Sequence, residues 1–246
     1  MKKILLLILL FLPIFIFSQE DKKVNLNTGV DFVSSYNWRA IDFGNSPAIQ
    51  PYIGLSAYGF DFTIWGSYSI MANEVVNENK VPFTEVDLVL RYSYSLDFGT
   101  LYSEMVDFYY PFLGEKFSNY KGVEDGVSKG AHWLNLAIGY QGPESFPLSL
   151  KLDFGILNDV DDNIYFEAGY TFDVDKTPLN LFFGLAKGKE KSDLYGIEDS
   201  KVALINCGLG TSKEIKITDN FSLPISTQLI TNPYASKVFL VFKVSL

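Results

Sequence analysis

From Val24 to Leu246 the chain repeats one pattern about twelve times: a run of roughly ten residues in which apolar and polar side chains alternate, closed by a turn. Successive side chains of a strand point to opposite faces, so each run has an apolar and a polar side. The run at 84–96 is the clearest, with Val86, Leu88, Leu90, Tyr92, Tyr94 and Leu96 opposing Glu85, Asp87, Arg91, Ser93 and Ser95. The first run is predicted to continue to Arg39, placing Leu26, Val30, Phe32, Tyr36 and Trp38 on one face and Asn25, Asn27, Gly29, Asp31, Asn37 and Arg39 on the other.

Further strands are predicted at about 47–58, 60–69 and 100–110, then around Leu136, Leu152, Phe166, Leu181, Ile205 and Leu223, with a last one from Lys237 to the carboxyl end. In the fifth, Glu104 and Asp107 fall on opposite faces, which a bulge would reconcile. In the tenth, Ala203, Ile205, Cys207 and Leu209 are placed outward.

The connections alternate in length. Gly59, Asp97–Gly99, Gly142–Ser145 and Asp173–Thr177 are tight, with a longer one expected near Lys213–Asn220, whereas Asn73–Pro82, Pro111–Gly130 and Lys187–Ser200 are long. Short periplasmic turns and long extracellular loops alternate in this way in outer-membrane barrels, and an even strand number returns both ends to the periplasm. The expected fold is therefore all-β: a transmembrane, antiparallel, up-and-down β-barrel of about twelve strands.

Alternation alone also fits a soluble barrel. Three features favour lipid: the apolar face is nearly free of charge, the polar face is rich in Gly, Ser, Asn and acids, and twelve strands exceed the roughly eight of a soluble ligand barrel. Gly29, Gly54, Gly139, Gly155, Gly169, Gly184 and Gly208 lie on the polar face, leaving room for water or for neighbouring Tyr and Trp side chains.

Composition adds a route to the membrane. Met1-Lys2-Lys3, an apolar stretch from Ile4 to Phe17, and Ser18 before Gln19-Glu20 form a secretory signal peptide, with cleavage expected after Ser18. Its apolar segment is shorter than the ~18–20 residues of a spanning helix. No later run approaches that length, so only a closed barrel could cross a bilayer. Residues 19–246 then form one barrel domain. Fifteen Tyr, 21 Phe and 19 Gly against three Met and one His suit strands and aromatic girdles. Losing both signal lysines takes the formal net charge from −9 to −11, which argues against nucleic acid as a partner. A single Cys207 permits no internal disulfide and reads as an inert thiol.

Val33-Ser34-Ser35-Tyr36-Asn37-Trp38-Arg39-Ala40-Ile41, followed by Pro47-Ala48-Ile49-Gln50-Pro51, resembles the opening hairpin of the TorF-type outer-membrane porins, also known as the Gcw_chp family. Trp65-Gly66-Ser67, Glu85-Val86-Asp87-Leu88, Tyr109-Tyr110-Pro111, Leu223-Pro224-Ile225-Ser226 and Asn232-Pro233 extend the similarity over most of the mature chain. Ser35 stands where that family carries Asp or Asn, Ala40 where it carries Gly, and Phe112 where Gly is common. The resemblance implies an outer-membrane barrel of porin type and supplies no substrate.

Chemistry is sparse. His132, the only histidine, has no partner fixed by spacing, and no H-E-x-x-H, C-x-x-C, G-x-S-x-G or Walker pattern occurs, so no enzyme activity, cofactor or metal is expected. Asp159–Asn163 lacks the Gly and Glu of a calcium loop and reads as a solvated turn. Lys187–Lys191 reads as a charged loop that could meet lipopolysaccharide phosphates.

The inward charges carry the functional expectation. Asp31, Arg39, Asp61, Glu85, Asp87, Arg91, Lys151, Asp153, Glu167 and Lys243 fall on the polar face. The first six are the candidate solute-contacting residues, with Arg39, Glu85, Asp87 and Arg91 foremost. Acids and bases on one lumen either orient a polar solute or pair and fill the barrel. The expected function is passive diffusion of small polar solutes across an outer membrane with mild cation preference. Its surroundings would be outer-membrane lipids and lipopolysaccharide, and no oligomer is indicated. The alternatives are a closed structural or adhesive barrel that binds partners through loops 111–130 and 187–200, and, remotely, a lipid-acting enzyme.

Overall fold

The structure, a computed structural model, describes residues 24–188, 194–198 and 201–246. The expected signal peptide, and residues 189–193, 199 and 200 of the long charged loop, lie outside the described residues.

Twelve antiparallel strands close into one barrel, each paired with its sequence neighbours. They are β1 (Asn25–Val33), β2 (Ala48–Ala57), β3 (Phe60–Ser69), β4 (Thr84–Leu96), β5 (Gly99–Tyr109) and β6 (His132–Gln141), followed by β7 (Leu148–Leu157), β8 (Ile164–Val174), β9 (Thr177–Lys187), β10 (Val202–Thr218), β11 (Phe221–Asn232) and β12 (Lys237–Ser245). The seam is made by β1 and β12, with Asp31 opposite Ser245 and Val33 opposite Lys243. Reciprocal 2.9 Å bonds between the backbones of Val30 and Leu246 extend it. Closure leaves no unpaired strand edge.

The barrel is inside out by the standards of a water-soluble protein. Leu26, Ile53, Ile138, Leu181, Leu229 and Leu240 are 47–71% exposed on its outer face, while Gln50, Ser67, Glu85, Asp87, Glu104 and Asp153 are buried within. An apolar belt running round every strand far exceeds the patches a soluble monomer shows.

The polar-face glycines are packing sites. A Cβ on Gly139 would lie 2.2 Å from the Tyr102 ring, one on Gly29 2.6 Å from the Tyr52 hydroxyl, and one on Gly184 2.1 Å from the Tyr165 hydroxyl. Each tyrosine lies across a neighbouring strand where no side chain stands.

Connections alternate as expected, with one refinement. The β10–β11 ladder continues until Thr218 faces Phe221, so the segment anticipated as a longer connection is strand with a tight turn at Asp219-Asn220. Among the tight turns, Asp175 and Lys176 both have positive φ, 48° and 65°, as a two-residue type I′ hairpin requires.

Three register expectations are corrected. First, β1 ends at Val33, and Tyr36–Trp38 pairs with Ile41–Phe43 in a separate hairpin folded into the lumen. Tyr36 and Trp38, expected on the outer wall, are interior because the chain turns inward at Ser34-Ser35 while its alternation continues.

Second, β5 carries no bulge, and its ladders to β4 and β6 run without a shift. Glu104 points inward, while Asp107 stays outward beneath the loop 110–131. There His132, fully buried, bonds Asp107 at 2.7 Å through Nδ1 and the Phe117 carbonyl at 2.5 Å through Nε2. Tyr120 stacks on the imidazole at 3.7 Å and donates to Asp107 at 2.9 Å. With both ring nitrogens engaged, His132 clasps the loop to the wall.

Third, the β9–β10 register shifts between Gly184 and Leu185, giving β10 an extra residue at Ile205. Above that bulge the faces exchange, so Ala203 and Ile205 are buried inside while Val202 and Leu204 are exposed.

Candidate functional site

The hairpin within Ser34–Pro47 organises the lumen. Its tip residues Arg39 and Ala40 have φ of 51° and 56°, the left-handed pair of a type I′ turn, although neither is Gly or Asn. Packing supports that conformation. Ala40 is buried against Ile230 and Val241, on the inner faces of β11 and β12. At the hairpin base Tyr36 packs among Val33, Ala48 and Phe83, with ring centroids 5.4 Å from Phe43 and Trp65. Phe83 in turn lies 5.0 Å from Phe112, which the turn Pro111–Leu113 carries into the interior. Each such aromatic pair contributes roughly 0.5–1.5 kcal/mol beyond its buried area.

Arg39 reaches the lumen from this hairpin and not from an extended β1. Its guanidinium pairs with Asp153 of β7 at 3.0 Å and donates to the Tyr195 hydroxyl at 2.6 Å. It also lies 4.1 Å and 3.9 Å from the ring centroids of Trp38 and Tyr165. Asp153 further accepts from Asn135 at 2.7 Å. Tyr195 and Ile197 come from the β9–β10 loop and are buried with Tyr165 and Ile205, where Trp38 and Ile41 of the hairpin pack against them.

Glu85 and Asp87 are buried on β4 at the opposite side of this assembly. Glu85 interacts with the hydroxyls of Tyr36 and Tyr110 and with Asp87. Burial, then the facing Glu85 and Asp87, pushes the Tyr36 and Tyr110 phenols well above the ordinary tyrosine value, so both remain donors. Glu85 Oε2 and Asp87 Oδ1 nevertheless have no hydrogen-bond partner. Among the described residues neither acid is paired with a lysine or arginine.

The other candidates are dispersed along the barrel. Arg91 donates to Glu104 through Nε at 2.9 Å and lies 4.5 Å from the Tyr102 ring centroid. Lys151 holds the second oxygen of Glu104 at 2.7 Å. Asp31 pairs with Lys243 at 3.0 Å across the seam. Asp61 faces Arg91 in the ladder, but that guanidinium turns to Glu104. Glu167 accepts from Tyr165 and from Asn206. The structure thus brings Arg39 and Glu85 to one chamber with Asp87 adjoining, and places Asp31, Asp61 and Arg91 elsewhere.

That chamber has a volume of about 230 Å³ and lies between the hairpin and the walls of β4–β8. Its lining is mostly aromatic, including Tyr36, Trp38, Phe43, Phe83, Phe108, Tyr110, Phe112 and Trp133, with Arg39, Glu85, Asp153 and Asp159 as charged members. Sequence reading missed Glu104 as an ion-pair hub, and it missed Tyr110, Phe112 and Tyr195 as interior groups. The available signal was the aromatic run Tyr109–Phe112 at the junction of the strand read at 100–110 and the long connection after it.

Asp159 does not present a free cation site. Its oxygens accept from the Asp161 backbone at 3.1 Å and from the backbone and side chain of Asn163 at 2.6 Å and 2.8 Å. Among the described residues no group of three or more His, Cys, Asp or Glu side chains gathers to hold a metal.

Fold and site together define a closed twelve-stranded β-barrel with an apolar exterior and a lumen occupied by an inward hairpin and ion pairs. No family model matches the chain, and no curated protein matches it.

Proposed function

We propose that this chain is an outer-membrane barrel of porin type, related to the TorF-type porins and exported by the signal peptide 1–18. It passes small polar solutes with a mild preference for cations. The observation that carries the reading is the sorting of side chains across one closed wall, with aliphatic and aromatic groups exposed outside and carboxylates, guanidinium and ammonium groups inside. Such an exterior suits the hydrocarbon core of a bilayer, with lipid and lipopolysaccharide around it. The short-turn end, where both barrel termini emerge, then faces the periplasm.

The aperture in this reading is narrow. The hairpin Tyr36–Phe43 crosses the lumen from β1 to β7, where Arg39 meets Asp153, while Ala40 packs on the neighbouring β11 and β12. Cation preference follows from interior acids that have no cationic partner among the described residues, with the buried Glu85 and Asp87 foremost. The same inward hairpin favours a second reading, a closed barrel that displays its loops to a partner.

Planar-bilayer recording separates the two. The channel reading expects reproducible unitary steps and a reversal potential of cation-selective sign under a salt gradient. Absence of steps above the lipid background overturns it in favour of the closed barrel, and an anion-selective sign overturns the charge assignment. The double variant Glu85→Gln, Asp87→Asn is expected to lower cation selectivity; unchanged selectivity would remove those two residues from the solute path.

A further inference from the structure

We propose that the aromatic chamber binds a small organic ammonium ion, a cationic nitrogen bearing apolar substituents, with Glu85 as its counter-charge. This deepens the cation preference argued above and rests on the same reading of the lumen, but it requires binding and not conduction.

Charge is unevenly answered inside this one cavity. Where Arg39 lies, positive charge is fully answered: Asp153 at 3.0 Å, the Tyr195 hydroxyl at 2.6 Å, and the faces of Trp38 and Tyr165 about the guanidinium. Where Glu85 lies, the same kind of wall recurs without the cation. Glu85 lines the chamber, is 2% exposed, and has Oε2 unpartnered. Tyr36, Phe83, Tyr110 and Phe112 surround that side with ring faces and edges.

Chemistry narrows the occupant. A buried carboxylate held by phenols but by no cation is costly, so a cation is favoured over a neutral or anionic ligand. A hydrated inorganic cation would lose its water to walls that offer mostly carbon, whereas such ions require several oxygen ligands. An alkylated ammonium has little water to lose, buries its substituents against the rings, and gains from the aromatic quadrupoles. The volume of about 230 Å³ lies below the roughly 300–1,000 Å³ of pockets for drug-sized ligands. The ligand is therefore small, of choline size.

The test uses the purified full-length mature barrel in detergent micelles, titrated with choline, with its uncharged carbon isostere 3,3-dimethyl-1-butanol, and with sodium ion at matched ionic strength. Trp38 and Trp133 line the chamber, so tryptophan emission reports occupancy, and calorimetry gives an independent readout. Choline is expected to bind saturably, sodium not to compete, and the isostere to bind about tenfold or more weakly, the loss of a desolvated cation–π contact. Equal affinity for choline and isostere, or no saturable binding by either method, overturns the proposal with no variant required. Glu85→Gln is expected to weaken choline by at least about tenfold, while Asp219→Asn, at the exposed β10–β11 turn, leaves it unchanged; wild-type affinity in a folded Glu85→Gln protein would also overturn it. Binding without channel activity would retain this inference and remove the channel, and conduction without binding would do the reverse.

Discussion

Replacing Arg39 by alanine removes the most fully engaged charge in the protein. The side chain is 7% exposed and pairs with Asp153, itself 4% exposed, at 3.0 Å. The substitution leaves Asp153 with the Asn135 amide at 2.7 Å but without its cation. Breaking a buried ion pair from one side costs about 3–5 kcal/mol, because the remaining charge stays desolvated. Here the lower end applies, about 3 kcal/mol, since Asn135 still answers one oxygen and the shortened hairpin tip admits water. Urea unfolding in micelles, followed by tryptophan emission, measures the loss. All three tryptophans surround the hairpin: Trp38 within it, Trp65 against Tyr36, and Trp133 on the chamber wall. A red shift in emission should therefore precede global unfolding. The companion Arg39→Ala, Asp153→Ala double variant should recover part of the loss, with a coupling energy of roughly 1–3 kcal/mol. A single-variant cost below about 1 kcal/mol, the worth of an exposed pair, with unchanged emission, would refute the view that this pair anchors the hairpin.

Three further outcomes are expected. Gly139→Ala places a methyl 2.2 Å from the Tyr102 ring and should destabilise the barrel by about 1–3 kcal/mol, measured as a lower urea midpoint; full stability would mean that Tyr102 does not lie over β6. Ala40→Val forces a β-branched residue into φ 56° and should cost at least about 1–2 kcal/mol, whereas Ala40→Gly keeps the turn; equal proteolysis of 34–47 in both variants would contradict the type I′ geometry. In the loop clasp, burial and the hydrogen bond to Asp107 push Tyr120 up to about 12. A folded value above the ordinary one near 10 means that docking is fully favoured below about pH 10 and lost as pH rises towards about 12. Loop 110–131 should become protease-sensitive across that window, and Tyr120→Phe should abolish the dependence; constant protection from pH 9 to 12 would count against the clasp.

Twelve strands were legible because each wall residue meets one of two unlike environments, and a period of two records which. The same signal misled at Tyr36 and Trp38, since a hairpin folded into the lumen alternates as readily as a strand in the wall, and its turn at Arg39-Ala40 carries no Gly or Asn. Ile205 could not be placed because a bulge is a relation between two strands, and nothing local to 202–209 distinguishes it from continuous alternation. Asp107 looked like a misplaced lumen acid because its cover, Tyr120 from the following loop and His132 from the start of β6, is brought over it only by the fold. The partners of the candidate charges were invisible in sequence. Asp31 with Lys243 and Arg39 with Asp153 lie far apart along the chain, and Arg91 with Glu104 depends on a register that only the barrel supplies.

The central claim is that the hairpin Tyr36–Phe43 sets the aperture of a membrane channel. Its most direct test is the unitary conductance of the wild-type barrel in planar bilayers beside a variant in which residues 35–44 are replaced by a short Gly-Ser linker. The account predicts small, reproducible steps for the wild type and clearly larger ones for the variant, with both proteins equally folded by circular dichroism. Equal conductance in the two proteins, or no steps from either, would contradict it.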